Sequence, residues 1–190
     1  MDIVLASGSP RRAELLRRCG IPYRIAISKV QEGKPQAPWS EWVKELACRK
    51  AHAVASSSGR VILAADTIVV KDDVVLGKPA SEQEAEEMLS FLAGDVHEVI
   101  TGICVIDCLR QRVWDDVEIT KVYFRPLTRE EIKAYVACGE SKDKAGAYGI
   151  QGIGGLLVER IEGCYYNVVG LPLVKTMLLL RRCGVKILGG

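Results

Sequence analysis

Apolar residues along the chain follow two different periods, and these predict alternating strands and helices. The segment 61–70 is a nearly continuous apolar run, which is typical of a strand in a buried sheet, and two long β-rich runs follow over 97–108 and 112–124. Apolar residues instead recur at helical spacing over 40–56 and over 82–92. Because helices alternate with both hairpins and single strands, we expect an α/β fold with a central mixed β-sheet flanked by helices. The pattern does not give the strand order.

Local signals mark where further elements begin. Ser9 followed by Pro10 predicts a helix N-cap directly after a short strand over 2–6. Two sequences with the spacing of a capping box, 81–84 and 128–131, predict the starts of two more helices. The other predicted elements are strands over 22–28 and 156–161, a hairpin turn at 72–73 that returns through 74–76, and a last helix over 172–182.

The composition is that of an ordinary globular protein, with 48% apolar and 26% charged residues. The length predicts a single domain over 1–190, built as one body or as two small lobes around one core. A net charge of +2 is too small for a broad basic surface that binds nucleic acid. No apolar run is long enough to span a membrane, and the basic residues follow the first apolar segment, which is the wrong order for a secretory signal. We therefore expect a cytoplasmic protein with neither a nucleic-acid nor a membrane partner.

The seven cysteines and two histidines limit the chemistry further. No two cysteines form a C-x-x-C pair and most lie in apolar runs, so we expect free thiols and no zinc site. Neither His52 nor His97 lies near a nucleophile-elbow sequence, which disfavours a Ser-His-Asp hydrolase.

Three places contradict their surroundings, as functional residues often do. The first is the turn from Ser7 to Arg12, which leads from a strand into a helix and places two arginines in the first helical turn. Cations are unfavourable at that end of the helix dipole, so the turn indicates an anion site. The alternative interpretation is a capped helix whose arginines are solvated.

The second and third are single charged residues at apolar positions. Asp66 lies within the run 61–70, where an unpaired carboxylate is costly, so it indicates a metal ion, dense hydrogen bonding or a catalytic task. The alternative is an Asp at a strand end, bonded to a loop. Lys50 lies on the apolar stripe of its helix and either enters a cleft or extends its ammonium into solvent. Lys78, which lies on a stiffened loop, is a further candidate cation. The four cationic groups, the helix N-terminus and the carboxylate within the strand together suit a polyphosphate and a divalent metal.

The glycine-rich stretch 144–155 lacks the Walker A pattern, which disfavours a P-loop kinase or ATPase. Its glycines allow the backbone to approach a ligand closely. Gln151 is the one amide side chain within it, and an amide offers both a donor and an acceptor to a base edge. The alternative is a glycine-rich turn with Gln151 in solvent.

The motifs described above, taken in their order along the chain, resemble those of the Maf family of nucleoside triphosphate pyrophosphatases. The resemblance implies an α/β fold similar to that of inosine triphosphatase, with a mixed sheet and a deep cleft between two lobes. It also implies hydrolysis of a nucleoside triphosphate to a monophosphate and pyrophosphate, with a divalent metal. The matching stretches span almost the whole chain: Leu5–Arg12 (LASGSPRR), Lys50-Ala51, Ala65–Thr67 (ADT), Gly77–Pro79 (GKP), Asp143–Gly152 (DKAGAYGIQG) and Val168–Pro172 (VVGLP).

The resemblance assigns roles to individual residues. Asp66 would accept the proton in catalysis and, together with Glu32, hold Mg²⁺ or Mn²⁺; Glu32 lies in a loop without a distinctive motif. The implied function is removal of unwanted nucleotides from the pool, and some family members also act on modified pyrimidine nucleotides. The residues implied to discriminate dTTP and UTP are Arg11, Thr67 and Gln151, and those implied to hold phosphates are Ser7, Arg12, Lys50 and Lys78.

Two other classes of function stay open at this point. One is a regulatory or nucleic-acid-binding protein linked to cell-division arrest, since the family was first named for inhibiting septum formation. The charge of +2 and an aromatic content of only 6% argue against it. The other is a sugar-nucleotide or phosphate-ester enzyme that uses the same anion-binding groups. The sequence also leaves open whether the chain forms a homodimer.

Overall fold

The computed structural model describes residues 2–55 and 61–188 and has a mixed α/β architecture. The strands are β1 (Ile3–Leu5), β2 (Arg24–Ile25), β3 (Val61–Lys71), β4 (Val74–Leu76), β5 (Val96–Asp107), β6 (Arg112–Phe124) and β7 (Val158–Glu162). The helices are α1 (Pro10–Arg18), α2 (Trp39–Val54), α3 (Glu82–Leu92), α4 (Arg129–Ala137), α5 (Tyr165–Val169) and α6 (Leu173–Arg182). Two short 3₁₀ helices, Ala145–Ala147 and Gly152–Leu157, occupy the glycine-rich stretch.

The strands form a sheet in the order β2-β1-β3-β5-β6-β7, and β4 pairs with β3 outside this order. β1 is parallel to both β2 and β3, with Leu5 opposite Ile25 on one side and Leu63 on the other. β4 and β7 are antiparallel to β3 and β6, respectively. The predicted central mixed sheet flanked by helices is therefore confirmed.

Contacts between residues divide the chain into two compact units. Unit 1 comprises Met1–Asp66, Thr101–Glu118 and Gly170–Gly190, and unit 2 comprises Thr67–Ile100 and Ile119–Val169. The long strands β3, β5 and β6 each contribute residues to both units. A single domain over 1–190 and a cleft between lobes stay predictions.

Small residues dominate the core of unit 1 where α2 packs on the sheet. Val43 and Leu46 of α2 are buried, and a Cβ atom placed on Gly102 of β5 would lie only 2.4 Å from the backbone of Val43. Glycine at 102 therefore allows helix and strand to approach more closely than side chains permit. The buried cluster here consists of Val4, Ala6, Ala47, Ala51, Val54, Ile62, Ala64, Cys104 and Ile106.

Unit 2 has its own core, in which three rings pack edge to face. The ring centroids of His97, Phe124 and Tyr148 lie 4.7–5.3 Å apart. Nε2 of His97 and Oη of Tyr148 share a hydrogen bond of 2.7 Å. Burial lowers the pKa of His97 to about 4, so the imidazole is neutral at physiological pH.

Several predicted boundaries differ from the structure. The strand predicted over 22–28 is reduced to β2, and α5 was missed because five residues are too few to show a helical period. The helix predicted over 40–56 ends at Val54, and residue 56 lies outside the described residues. These differences are local and leave the predicted fold class intact.

The predicted caps are only partly correct. The Ser9 side chain makes no capping hydrogen bond to α1. At Ser81 half of a capping box forms, since Glu84 accepts from Ala80 N rather than from the cap residue itself. The box between Thr128 and Glu131 is complete.

The cysteines differ widely in exposure, and the helices are short. All seven cysteines are free, and they range from buried Cys104 and Cys183 to exposed Cys19 and Cys138. Within 2–55 and 61–188, none of the helices combines the length and apolarity that crossing a membrane requires.

Gly102 provides a direct test of how closely α2 packs. We expect Gly102→Ala to lower the free energy of unfolding by about 2 kcal/mol or more, because the new methyl group would overlap helix backbone rather than a movable side chain. The matched control is Gly77→Ala, since a Cβ at Gly77 meets nothing within 4 Å. Urea denaturation measures both variants, and equal stability of Gly102→Ala and wild type would contradict the close approach.

Candidate active site

Asp66 is a buried carboxylate inside β3, with only 7% of its surface exposed. Its partner is Lys50 of α2, whose side chain is 13% exposed and whose Nζ donates to Oδ1 of Asp66. The same ammonium donates over 2.7 Å to Oε1 of Glu32. Lys50 therefore enters the protein rather than extending into solvent, and Asp66 is not a strand-end residue.

Burial is the main influence on the pKa of Asp66. It raises the pKa of the Asp66 carboxyl above its ordinary value, although the positive charges of Lys50 and Arg12 act in the opposite direction. Glu32 adds a smaller upward effect through its negative charge. A carboxylate whose pKa is raised is a stronger base than an exposed aspartate, which suits proton acceptance.

The turn before α1 places a second cation next to this pair. Arg12 donates from Nε to the carbonyl oxygen of Gly170 over 2.8 Å and from Nη1 to Oγ of Ser7 over 3.0 Å. The Ser7 hydroxyl also accepts from Ser9 N over 3.2 Å. Burial lowers the pKa of Arg12, and the charges of Asp66 and Glu32 oppose that effect. Arg12 is therefore a cation bound to groups of the protein interior. Arg11 and Arg12 are both half-buried on this turn.

The loop that carries Glu32 is tied to α2 by two consecutive residues. Arg49 donates from Nη2 to the carbonyl oxygen of Gln31 over 2.5 Å, while Lys50 binds the side chain of Glu32. The sequence analysis missed both Arg49 and Gly170. For Gly170 a signal existed, since it lies within the VVGLP stretch that had no assigned task. For Arg49 there was none, because its acceptor is a backbone carbonyl 18 residues away.

The two carboxylates have the chemistry of a weak divalent-cation site. Oxygens of Asp66 and Glu32 already bind one cationic group, the ammonium of Lys50. In the part of the chain that the structure describes, no cluster of three or more His, Cys, Asp or Glu side chains could hold a metal. Mg²⁺ often binds to one or two carboxylates and completes its shell with water and substrate phosphates. The donor set fits such a cation and does not fit tightly held zinc.

The structure brings five of the predicted site residues together within unit 1: Ser7, Arg12, Glu32, Lys50 and Asp66. The other unit contains Thr67, Lys78 and Gln151. Thr67 and Gln151 are half-buried, and Lys78 is exposed. Their roles stay predictions.

Comparison with known proteins identifies the family. A solved HAM1 protein from Coxiella burnetii has the same fold, with a TM-score of 0.55 and 15% identity over 95% of this chain and 99% of that chain. The sequence profile described as Maf-like protein matches residues 2–183. The chain therefore belongs to the Maf-like protein family.

Curated relatives are similar over nearly their full length. The dTTP/UTP pyrophosphatase of Acetivibrio thermocellus is 48% identical over 99% of this chain and 98% of its own. The dTTP/UTP pyrophosphatase of Symbiobacterium thermophilum is 50% identical over 100% of this chain and 97% of its own. One from Bacillus cereus is 47% identical over 97% of each chain.

The Lys50–Asp66 pair can be tested without any substrate. We expect Lys50→Met to raise the pKa of Asp66 further, because it removes the main charge that favours the ionised form. It should also lower the free energy of unfolding at neutral pH by about 3–5 kcal/mol, since a buried carboxylate loses its partner. That loss should shrink as the pH falls, because protonation of Asp66 removes the unpaired charge.

The measurements are ¹³C NMR titration of the Asp66 carboxyl and urea denaturation at several pH values. Lys44→Met is the matched control, because Lys44 lies on the same helix and pairs with Glu41 and Asp115. An Asp66 titration that is the same in Lys50→Met and in wild type would contradict the pairing.

Proposed function

We propose that this protein is a nucleoside triphosphate pyrophosphatase that hydrolyses dTTP and UTP to the monophosphate and pyrophosphate. The observation that carries the proposal is the buried carboxylate of Asp66, bound to Lys50 beside the second carboxylate of Glu32. The relatives that are 47–50% identical over nearly the whole chain are named dTTP/UTP pyrophosphatases, which supports the same activity. The reaction suits removal of unwanted, including modified, pyrimidine nucleotides from the cytoplasmic pool.

Asp66 acts as the general base. A water molecule attacks the α-phosphorus, and the Asp66 carboxylate orients that water and accepts its proton. A bound triphosphate gives the Lys50 ammonium a new anionic partner, which frees an oxygen of Asp66 for this task. No covalent enzyme intermediate is needed, in agreement with the absence of a nucleophile paired with histidine among the sequence motifs.

Cations and the start of α1 bind the phosphates. Arg12 and Lys50 supply positive charge where negative charge develops on the leaving pyrophosphate. Ser7 accepts hydrogen bonds from Arg12 and Ser9 N, which leaves its hydroxyl proton available to a phosphate oxygen. Lys78 is assigned to the same task by its position on the stiffened loop at 77–79 and by the family resemblance.

Asp66 and Glu32 would hold Mg²⁺ or Mn²⁺, whose chemistry would be to offset phosphate charge and polarise phosphate oxygens. We assign selectivity for the pyrimidine base to Arg11, Thr67 and Gln151, again from the resemblance. The experiment that separates this function from a regulatory role or another phosphate ester is pyrophosphate release. It is measured over a panel of nucleoside triphosphates with each metal.

The base is tested by Asp66→Asn, which keeps the shape and removes proton acceptance. We expect kcat for dTTP to fall by about 10² or more while the protein stays folded. Asp107→Asn is the matched control, because Asp107 is also a buried aspartate of unit 1 but serves the turn at 109–110 through backbone hydrogen bonds. Turnover close to wild type in Asp66→Asn would remove Asp66 from the mechanism.

The selectivity assignment is tested by Gln151→Ala. If the amide pairs with the base, its loss should cost about 1–3 kcal/mol of transition-state binding for dTTP and UTP and less for purine triphosphates. The measurement is kcat/KM across the panel, with unchanged metal dependence. Gln83→Ala serves as control. Gln83 is an exposed residue of unit 2, and its side-chain amide donates to Oε1 of Glu87 on the same helix, α3. An equal loss for every nucleotide would show that Gln151 does not read the base.

A further inference from the structure

The backbone on both sides of Gln151 is held by side chains from the α4 region. On one side, Gly149 N donates to Oη of Tyr135 over 3.2 Å. On the other side, Ile153 N donates to Oε1 of Glu140 over 3.1 Å, and Gly154 N donates to Oε2 of Glu140 over 3.2 Å. Both oxygens of one carboxylate are therefore occupied by the segment that directly follows Gln151.

Glycines make these contacts geometrically possible. A Cβ atom on Gly152 would lie 2.6 Å from Oε1 of Glu140, and Gly152 has a φ of 69°. A Cβ on Gly154 would lie 2.1 Å from the carbonyl oxygen of Gly149 and 2.8 Å from Oη of Tyr135. Side chains at either position would push the segment away from its two anchors. The glycines of this stretch thus serve to bring it against Glu140 and Tyr135.

A glycine-rich segment without anchors has wide backbone freedom, and an amide carried on it would sample many positions. Discrimination between bases needs the amide held in one geometry, because a small displacement weakens both of its hydrogen bonds. Gln151 is itself half-buried and has extended backbone angles, with φ −82° and ψ 154°. The anchors restrict the residues that flank it on both sides.

We propose that Glu140 is a positioning residue for base selectivity, which holds the 152–154 backbone so that Gln151 keeps its place. This inference rests on the proposed function, in which Gln151 reads the pyrimidine. Glu140 acts through the backbone and does not itself touch the base. Glutamate suits the task because a carboxylate only accepts hydrogen bonds, and two N–H groups face it.

The side chain of Glu140 has no visible duty in forming the turn that carries it. That turn is held by Lys144, which donates to the carbonyl oxygen of Glu140 over 2.5 Å and to Oδ1 of Asp143 over 2.7 Å. Replacing the side chain therefore leaves these turn contacts in place. Glu140→Gln keeps the shape but turns an NH₂ donor toward one of the two N–H groups, so it disrupts the anchor with the smallest change in volume.

The experiment compares Glu140→Gln, Gln151→Ala and the double variant, using kcat/KM for dTTP and UTP divided by kcat/KM for dATP. We expect Glu140→Gln to lower this ratio by roughly 10-fold. The double variant should have the same ratio as Gln151→Ala alone, because Glu140 acts through Gln151. Hydrogen exchange of the Ile153 and Gly154 amides should also be faster in Glu140→Gln, which reports the anchor independently of activity.

Glu131→Gln is the matched control. Glu131 also uses both carboxylate oxygens, for Thr128 N and for Arg125, but it caps the start of α4. It should lower the melting temperature without moving the selectivity ratio.

The outcomes separate the inference from the function on which it rests. A ratio that falls in Gln151→Ala but not in Glu140→Gln overturns the positioning role alone, as does unchanged exchange of the two amides. A ratio unchanged in Gln151→Ala overturns the base-reading role of Gln151 and this inference with it. Absence of hydrolysis of every triphosphate by the wild-type protein overturns the proposed function.

Discussion

The buried pair of Asp66 and Lys50 is the interaction on which the rest of unit 1 depends. Each ion loses several kcal/mol of solvation when it leaves water, and only a close, hydrogen-bonded partner offsets that cost. Lys50 must therefore reach the sheet from α2, which requires the helix to lie close to the strands. Alanines at 47 and 51 and the glycine at 102 provide that closeness. The small residues of this core thus permit the close packing that the charge pair requires.

The charges around the pair also constrain what can bind there. Two carboxylates, of Asp66 and Glu32, face three cations, namely Lys50, Arg11 and Arg12. Lys50 forms ion pairs with both carboxylates. The charges of Arg11, Asp66 and Glu32 all influence Arg12. These charges nearly cancel, so a polyphosphate would bring a large excess of negative charge. Additional positive charge is then required, and two carboxylates are the ligands that attract a hard divalent cation. Under the proposed function, the residues of this chain therefore favour a divalent cation that binds together with the polyphosphate.

Much of the fold followed from local pattern, because a buried strand such as β3 and a complete capping box at Thr128 are both encoded within a few neighbouring residues. Asp66 and Lys50 were found because they contradict their apolar neighbours. Their partners were not predictable in the same way, since the hydrogen bond from Arg12 to Gly170 spans 158 residues and that from Arg49 to Gln31 ends on a backbone carbonyl. The length of β2 was not predictable either, since only two of its residues pair with β1.

The two units also differ in how they respond to protons. In unit 2, the hydrogen bond between His97 and Tyr148 fixes the aromatic residue next to Gly149, and neither group changes charge near neutral pH. Burial lowers the pKa of His97 to about 4 and raises the pKa of Tyr148 well above its ordinary value. In unit 1, burial instead raises the pKa of Asp66 above its ordinary value. The same physical cause therefore keeps the His97–Tyr148 pair uncharged near neutral pH and favours the protonated form of Asp66. Under the proposed function, we accordingly expect protonation of Asp66 to contribute to the pH dependence of the reaction.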